Sequence, residues 1–233
     1  MIRRNVVKEA ARSGGKVRGL FMAFAAPNVI ELLAGEVDFV FLDGEHGAFS
    51  PRELETACMI GERCGLTVIA RVPDGSAPTI THFLDRGVLG ILVPHVDTAA
   101  QARAAVNAAY FAPLGQRSFG GSRPAYQEID DKPQHLLDCN ASTSVGLLVE
   151  TGVGLAAVEE MAAIDGIDYL SFGPNDLAQD LGYPGRPDHP DVLRAMAEGS
   201  QRIRAAGKRV PDDFMKGVWI NEVMLKGIRQ LLG

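Results

Sequence analysis

Cysteine is scarce in this chain of 233 residues: the 3 present, Cys58, Cys64 and Cys139, are odd in number and lack the short spacing of metal sites. That argues against a disulfide framework and a thiolate zinc site, and fits a reducing, cytoplasmic setting in which the thiols are buried as small apolar groups. An excess of charge of one sign is missing as well. The net charge of −6 comes from 23 basic and 29 acidic residues that are interspersed. There is thus no electrostatic footprint for nucleic acid or for an anionic membrane surface, and a small-molecule partner is favoured. No apolar run approaches the roughly 18 residues that span a bilayer. The start MIRRNVVKEAARSGG is basic but continues with charged and small residues instead of an apolar stretch, so export is not expected. No Ser- or Pro-rich linker marks a boundary, which leaves residues 1–233 as one domain. No Gly-x-Gly-x-x-Gly follows the first strand and no phosphate-loop pattern occurs, which counts against an open nucleotide-binding sheet.

What is present is a chain with 46% hydrophobic and 22% charged residues, enough to bury a large core, in which strand and helix patterns alternate from Val17 almost to the end. Strands are predicted at 17–22, 39–42, 67–71, 90–93, 145–149, 169–172, 209–210 and 228–232. Helical periodicity falls at 27–34, 51–64, 77–86, 98–109, 155–163 and 190–206. The second of these opens with Ser50 as N-cap, Pro51 in the first turn and Glu53 at the capping-box position. Repeated βα units predict a parallel sheet, and eight of them predict a closed (β/α)8 TIM barrel. Two segments break the regularity. Residues 110–140 form a long insertion, and the part after Gly207 is short: a seventh helix at 212–226 and the eighth strand just fit, leaving no eighth helix.

Residues 145–181 read as one complete strand, helix, strand unit, with Glu150 ending the first strand and Asp176 following the second. Strands joined by a helix are parallel, so their C-terminal ends lie side by side and the two carboxylates share a cleft, a pair able to hold a divalent cation. Other reactive side chains gather at the same ends. Asp43-Gly44-Glu45-His46-Gly47 follows strand two, Arg71 ends strand three, Pro94-His95 follows strand four and Gly173-Pro174-Asn175-Asp176 follows strand six. In a barrel, chemistry belongs there. Gly-Pro-Asn-Asp is either a turn followed by a cap or, through the free N–H groups of a helix start, a seat for a carboxylate. Arg71 is either a fixed cation beside developing negative charge or a salt-bridge partner of Asp43 or Glu45, and the two roles are compatible. The ordinary pKa of histidine, about 6.5, suits His46 to proton transfer. His82, His95, His135 and His189 lack such a setting, although His95 stands at a strand end.

These residues carry a family resemblance. FLDGEHG (41–47), ARVP (70–73), GILVPHVDTAAQAR (90–103), APLGQRSFGG (112–121), LLVET (147–151) and GPNDLAQDLG (173–182), in that order, make the chain similar over nearly its whole length to the HpcH/HpaI family of class II, metal-dependent pyruvate aldolases. The resemblance implies a (β/α)8 barrel that makes or cleaves a carbon–carbon bond between pyruvate and an aldehyde through a metal-stabilised pyruvate enolate, commonly as a hexamer. It implies Glu150 and Asp176 as ligands of Mg²⁺ or Mn²⁺, with Co²⁺ as a third option. It implies Gly173, Pro174, Asn175 and Asp176 as substrate contacts, His46 as general base and Asp85 as the carboxylate supporting that base. The helix before strand four ends at the opposite mouth of an isolated barrel, so Asp85 is expected to reach His46 from a neighbouring subunit or through a shifted helix. Asp43 and Glu45 are expected behind the reacting groups, positioning Arg71 or waters. Arg117 and Arg123, in the insertion, either receive an acidic aldehyde or close a subunit contact. One departure concerns Leu148, which stands where the family usually has glutamine. Strand alternation turns it inward like Glu150, so an apolar contact replaces a polar one. The expected activity is aldol cleavage of a 4-hydroxy-2-oxo acid. An oxaloacetate-type decarboxylase, an acyl-CoA lyase and a non-catalytic barrel that binds 2-oxo acids remain alternatives.

Overall fold

Asn5 opens the first helix by accepting the N–H of Lys8 at 3.0 Å, so α1 runs Val6–Ser13 and stops at Gly14, whose φ of 84° suits a residue without a Cβ. The computed structural model describes residues 4–120 and 129–233. After α1 come β1 (Val17–Met22), α2 (Pro27–Leu32), β2 (Phe39–Asp43), α3 (Pro51–Arg63), β3 (Thr67–Arg71), α4 (Ala77–Asp85), β4 (Gly90–Val93) and α5 (Ala99–Ala109). The second half holds α6 (Lys132–Ser142), β5 (Ser144–Val149), the short helices α7 (Gly152–Ala156) and α8 (Val158–Ala162), and β6 (Tyr169–Phe172). It closes with α9 (Pro174–Asp180), α10 (Pro190–Ala205), β7 (Met215–Trp219) and α11 (Ile220–Leu232). The expected capping box is present: Glu53 N–H donates to Ser50 Oγ at 3.3 Å and Ser50 N–H donates to Glu53 Oε2 at 2.7 Å.

All strands are parallel and pair in the order β6-β5-β4-β3-β2-β1-β7, so the sheet curls through consecutive neighbours, as βα repeats require. The segment 209–214, which leads into edge strand β7, bonds to the opposite edge strand β6 and to β1. The Arg209 carbonyl accepts the Leu170 N–H of β6 at 3.1 Å, and the Phe214 carbonyl accepts the Val17 N–H of β1 at 2.8 Å. The architecture is therefore TIM-barrel-like, with the strand predicted at 209–210 reduced to a single bridge to Tyr169.

The C-terminal expectations need correction. Residues 212–226 are not one helix but a 3₁₀ turn (Pro211–Asp213), then β7 and the start of α11. Residues 228–232, expected as strand eight, lie inside α11. The helix that is missing is the one between Arg209 and β7, and the last helix is present. A short apolar run such as that around Leu231 does not by itself distinguish strand from helix, and partnership with β1 decides which segment extends. Besides β7, α1 and the helix α6 within the long insertion were not anticipated.

Alternation along the strands makes two cores. The outer one lies between the sheet and its helices and contains Leu20, Met22, Val40, Leu42, Ala70, Ile91, Val145 and Leu147. The inner one fills the barrel with Phe39, Phe41, Ile69, Leu92, Leu148, Tyr169 and Phe214, and is closed at the N-terminal end of the strands by Val7, Ala10 and Ala11 of α1. Asn5 locks that plug, its amide donating to the Leu89 carbonyl at 2.9 Å and the Ser142 carbonyl at 2.8 Å. Closing one mouth leaves the other for chemistry. Among the described residues no helix is long and apolar enough to cross a membrane.

Candidate active site

The C-terminal ends of the strands surround a cavity of about 650 Å³, within the ordinary range for a small-molecule site. His46, Arg71, Leu148, Glu150 and Gly173 to Asp176 all line it. Most of the residues expected to act are thus brought together by the parallel sheet, although they lie up to 130 positions apart in the chain.

Arg71, the last residue of β3, is paired in register with Asp43, the last residue of β2. Its Nε donates to Asp43 Oδ1 at 3.0 Å and its Nη2 to Oδ2 at 2.7 Å, a two-point grip that fixes the guanidinium plane. Its Nη1 stands 2.9 Å from Glu45 Oε2. Burial pushes the Asp43 carboxyl up, but Arg71 and the N–H groups of His46 and Glu45 outweigh it and hold the carboxyl below its usual range. Burial likewise works against the Arg71 charge, and Asp43, Glu45 and Glu150 together more than restore it. Asp43 also accepts the N–H groups of Glu45 and His46, each at 3.2 Å, which curls the loop after β2 and leaves the His46 ring 67% exposed at the cavity mouth.

Glu150 is 2% exposed. Burial raises its pKa, and the charges of Glu45 and Asp176 push in the same direction, while the His95 N–H and ring pull it back. Gly173 makes room for it, since a Cβ there would fall 2.5 Å from Glu150 Oε1. Asp176 sits in the first turn of α9, whose N-cap is Gly173 and which has no side-chain cap. One buried oxygen, Glu45 Oε2, has no aligned hydrogen-bond donor despite the nearby Arg71. Oxygen donors of this kind suit a hard divalent cation. Among the described residues no three His, Cys, Asp or Glu side chains gather tightly enough to cage an ion. A cation here would rest on Glu150 and Asp176 and leave its other positions to substrate and water.

A sequence profile of the HpcH/HpaI aldolase/citrate lyase family matches residues 18–231. The chain belongs to this family. Among its relatives, the 4-hydroxy-2-oxovalerate aldolase of Rhodococcus jostii is 35% identical over 209 residues, covering 88% of this chain and 79% of that protein. The hydroxypyruvate/pyruvate aldolase of Sagittula stellata is 34% identical over 207 residues, covering 88% and 81%. The crystal structure of a HpcH/HpaI aldolase/citrate lyase family protein from Burkholderia cenocepacia superposes with a TM-score of 0.88 at 27% identity, over 98% of both chains.

Against this family background, three placements are informative. Asp85 does not line the cavity that His46 lines: its Oδ1 accepts Arg117 Nη2 at 2.7 Å, and the pair borders a separate space of about 500 Å³ with His82 and Gln116. Within one chain, Asp85 and Arg117 thus pair beside that separate space, and neither lines the main cavity. Arg123 lies outside the described residues. Leu148 does face the cavity and is 5% exposed.

His95 was underrated by its sequence setting. Its backbone N–H donates to Glu150 Oε2 at 2.8 Å, its Nδ1 lies 3.0 Å from the same oxygen, and its Nε2 lies 3.2 Å from Glu45 Oε1. The ring thus spans two acidic residues. The only usable signal was a histidine directly after Val93-Pro94 at a barrel strand end. The aromatic wall of Phe21, Phe41 and Trp219 was also missed, because residue 219 was placed in a helix.

Proposed function

We propose that the protein catalyses reversible aldol cleavage of a 4-hydroxy-2-oxo acid to pyruvate and an aldehyde, assisted by Mg²⁺ or Mn²⁺ held by Glu150 and Asp176. The observation that carries this reading is the convergence on one cavity of a buried glutamate, a second carboxylate, an immobilised arginine and an exposed histidine. The names of the relatives, an oxovalerate aldolase and a pyruvate aldolase among them, point to the same chemistry. When bound, the cation supplies Lewis acidity toward the 2-oxo group.

The residues divide the remaining work. The substrate carboxylate is received at the N–H groups of Asn175 and Asp176, beside Gly173 and Pro174. His46 accepts the proton of the C4 hydroxyl. The C3–C4 bond then breaks: its electron pair passes into the pyruvate half as an enolate, and the C4–O bond becomes the aldehyde carbonyl. Arg71, held on one side by Asp43 and Glu45, places a permanent positive charge beside the enolate oxygen without reorganising. C3 takes a proton from water, His46 returns its own proton to solvent, and pyruvate is released. His95 positions Glu150 and Glu45 behind these groups. The assembly is a homo-oligomer in the cytoplasm, in which Asp85 supports His46 of a neighbouring subunit.

Pyruvate release from a panel of 4-hydroxy-2-oxo acids, with protein stripped by chelator and then resupplied with Mg²⁺ or Mn²⁺, tests the proposal. Metal-restored turnover is expected, and Glu150→Gln should abolish both turnover and Mn²⁺ binding by calorimetry. Turnover of oxaloacetate alone would replace the aldolase with a decarboxylase, and full activity without metal would remove the role of the two carboxylates.

A further inference from the structure

The cavity has two unlike sides. Toward β3 to β6 it presents the polar Arg71, Glu150, Ser171 and Asp176 among the apolar Ile69, Leu92, Leu148, Tyr169 and Phe172; toward β1, β2 and β7, apart from His46 at the mouth, it presents only Phe21, Phe41, Met215 and Trp219. The three aromatic rings pack on one another. Phe21 and Phe41 have centroids 5.0 Å apart, and Trp219 meets Phe21 edge-on at 5.5 Å and Phe41 edge-on at 6.3 Å. Phe21 fits because β7 offers Gly217 beneath it, where a Cβ would come within 2.2 Å of the ring. The wall is therefore fixed by packing on both faces.

We infer that this wall receives a bulky apolar tail of the aldehyde half of the substrate, one of aromatic size, in preference to an acidic or polyol tail. The inference rests on the aldol reading, which fixes the direction of the substrate. The pyruvate half lies at Glu150 and Asp176, after β5 and β6, while the C4 oxygen must meet His46, after β2. A carbon chain laid between those points carries C5 and everything beyond it to the β1, β2 and β7 side. Charge selects in the same sense. Among the described residues lining the cavity, Arg71 is the one lysine or arginine, and Asp43 and Glu45 already engage it. Among the described residues a second substrate carboxylate would find no further lysine or arginine there, and the hydroxyls of a polyol would lose water against three rings without gaining partners.

Trp219 is the single tryptophan of the chain, so its emission reports on the wall directly. Protein loaded with Mg²⁺ and pyruvate is titrated with benzaldehyde and, separately, with succinic semialdehyde, Trp219→Phe serving as the blank. Benzaldehyde should shift the emission with half-saturation at least about tenfold lower than the acidic aldehyde, the scale on which apolar pockets discriminate. Cleavage of a phenyl-tailed 4-hydroxy-2-oxo acid should exceed that of a carboxylate-tailed one in kcat/KM by a similar factor, and Phe21→Thr should erase most of the preference. Equal response to both aldehydes, or preference for the acidic one, overturns the inference. An emission response with no turnover of any substrate counts against the aldol reading while the wall's apolar selectivity stands.

Discussion

His95 adopts φ 53°, a left-handed conformation that costs a residue with a Cβ about 1–2 kcal/mol, and from that position its ring spans Glu45 and Glu150. Strain of this kind persists where the surroundings impose it. His95→Gly relieves that strain but removes the ring from between two carboxylates, so the two effects should largely offset and the stability read from the denaturant midpoint should move by less than about 1 kcal/mol. The same change should weaken Mn²⁺ binding by roughly ten- to a hundredfold, because Glu150 loses the imidazole that orients it. Unchanged Mn²⁺ affinity would reduce His95 to a turn residue. At this scale the gathering of Glu150, Asp176, Arg71 and His46 around one cavity was legible, because each stands in a motif at or just after the end of an apolar strand run. His95 was not, because its role depends on a backbone twist and on Glu45 folding back toward it.

The first helix shows how an element is held by buried polar groups. Lys8 Nζ donates to the carbonyls of Asn140, at 2.9 Å, and Thr143, and lies 5.3 Å from the Tyr110 ring centroid. Burial lowers its pKa from 10.5 to about 8, with Asp168 pulling the other way. Between those two values the unfolded chain keeps a proton that the folded chain has released, so this residue makes stability rise with pH. Tyr110 and Tyr169 act oppositely: burial raises both pKa values, and the stability they hold is lost as pH climbs above their ordinary value of 10.0. The clean window is thus pH 8 to 10. Urea titrations across it should find wild type gaining about 2 kcal/mol relative to Lys8→Met. A constant difference would show that the ammonium is not penalised in the folded state. The helix itself was not foreseen, since its apolar face matters only once there is a barrel mouth to close.

At the scale of the whole molecule, Asp85 does not line the cavity that His46 lines. Its Arg117 pair faces a separate space, and α11 carries exposed Val223, Met224, Ile228, Leu231 and Leu232 along its length. Both features fit assembly with further copies. If Asp85 serves a neighbour, His46→Ala and Asp85→Ala proteins, each slow alone, should recover about a quarter of wild-type activity when unfolded together and reassembled, because a quarter of the sites then combine both intact residues. No recovery would confine Asp85 to its pair with Arg117.

Residue order alone determined the βα repeat, the six strands from β1 to β6 and the carboxylates at their ends, because period and strand-end motifs are local properties. Tertiary structure decided the rest. Which C-terminal segment became β7 depended on pairing with β1, and that choice put Trp219 into the cavity instead of onto a helix. The bridge from His95 to Glu45 and Glu150, and the pairing of Asp85 with Arg117, likewise arise only when distant strand ends and helices are set side by side.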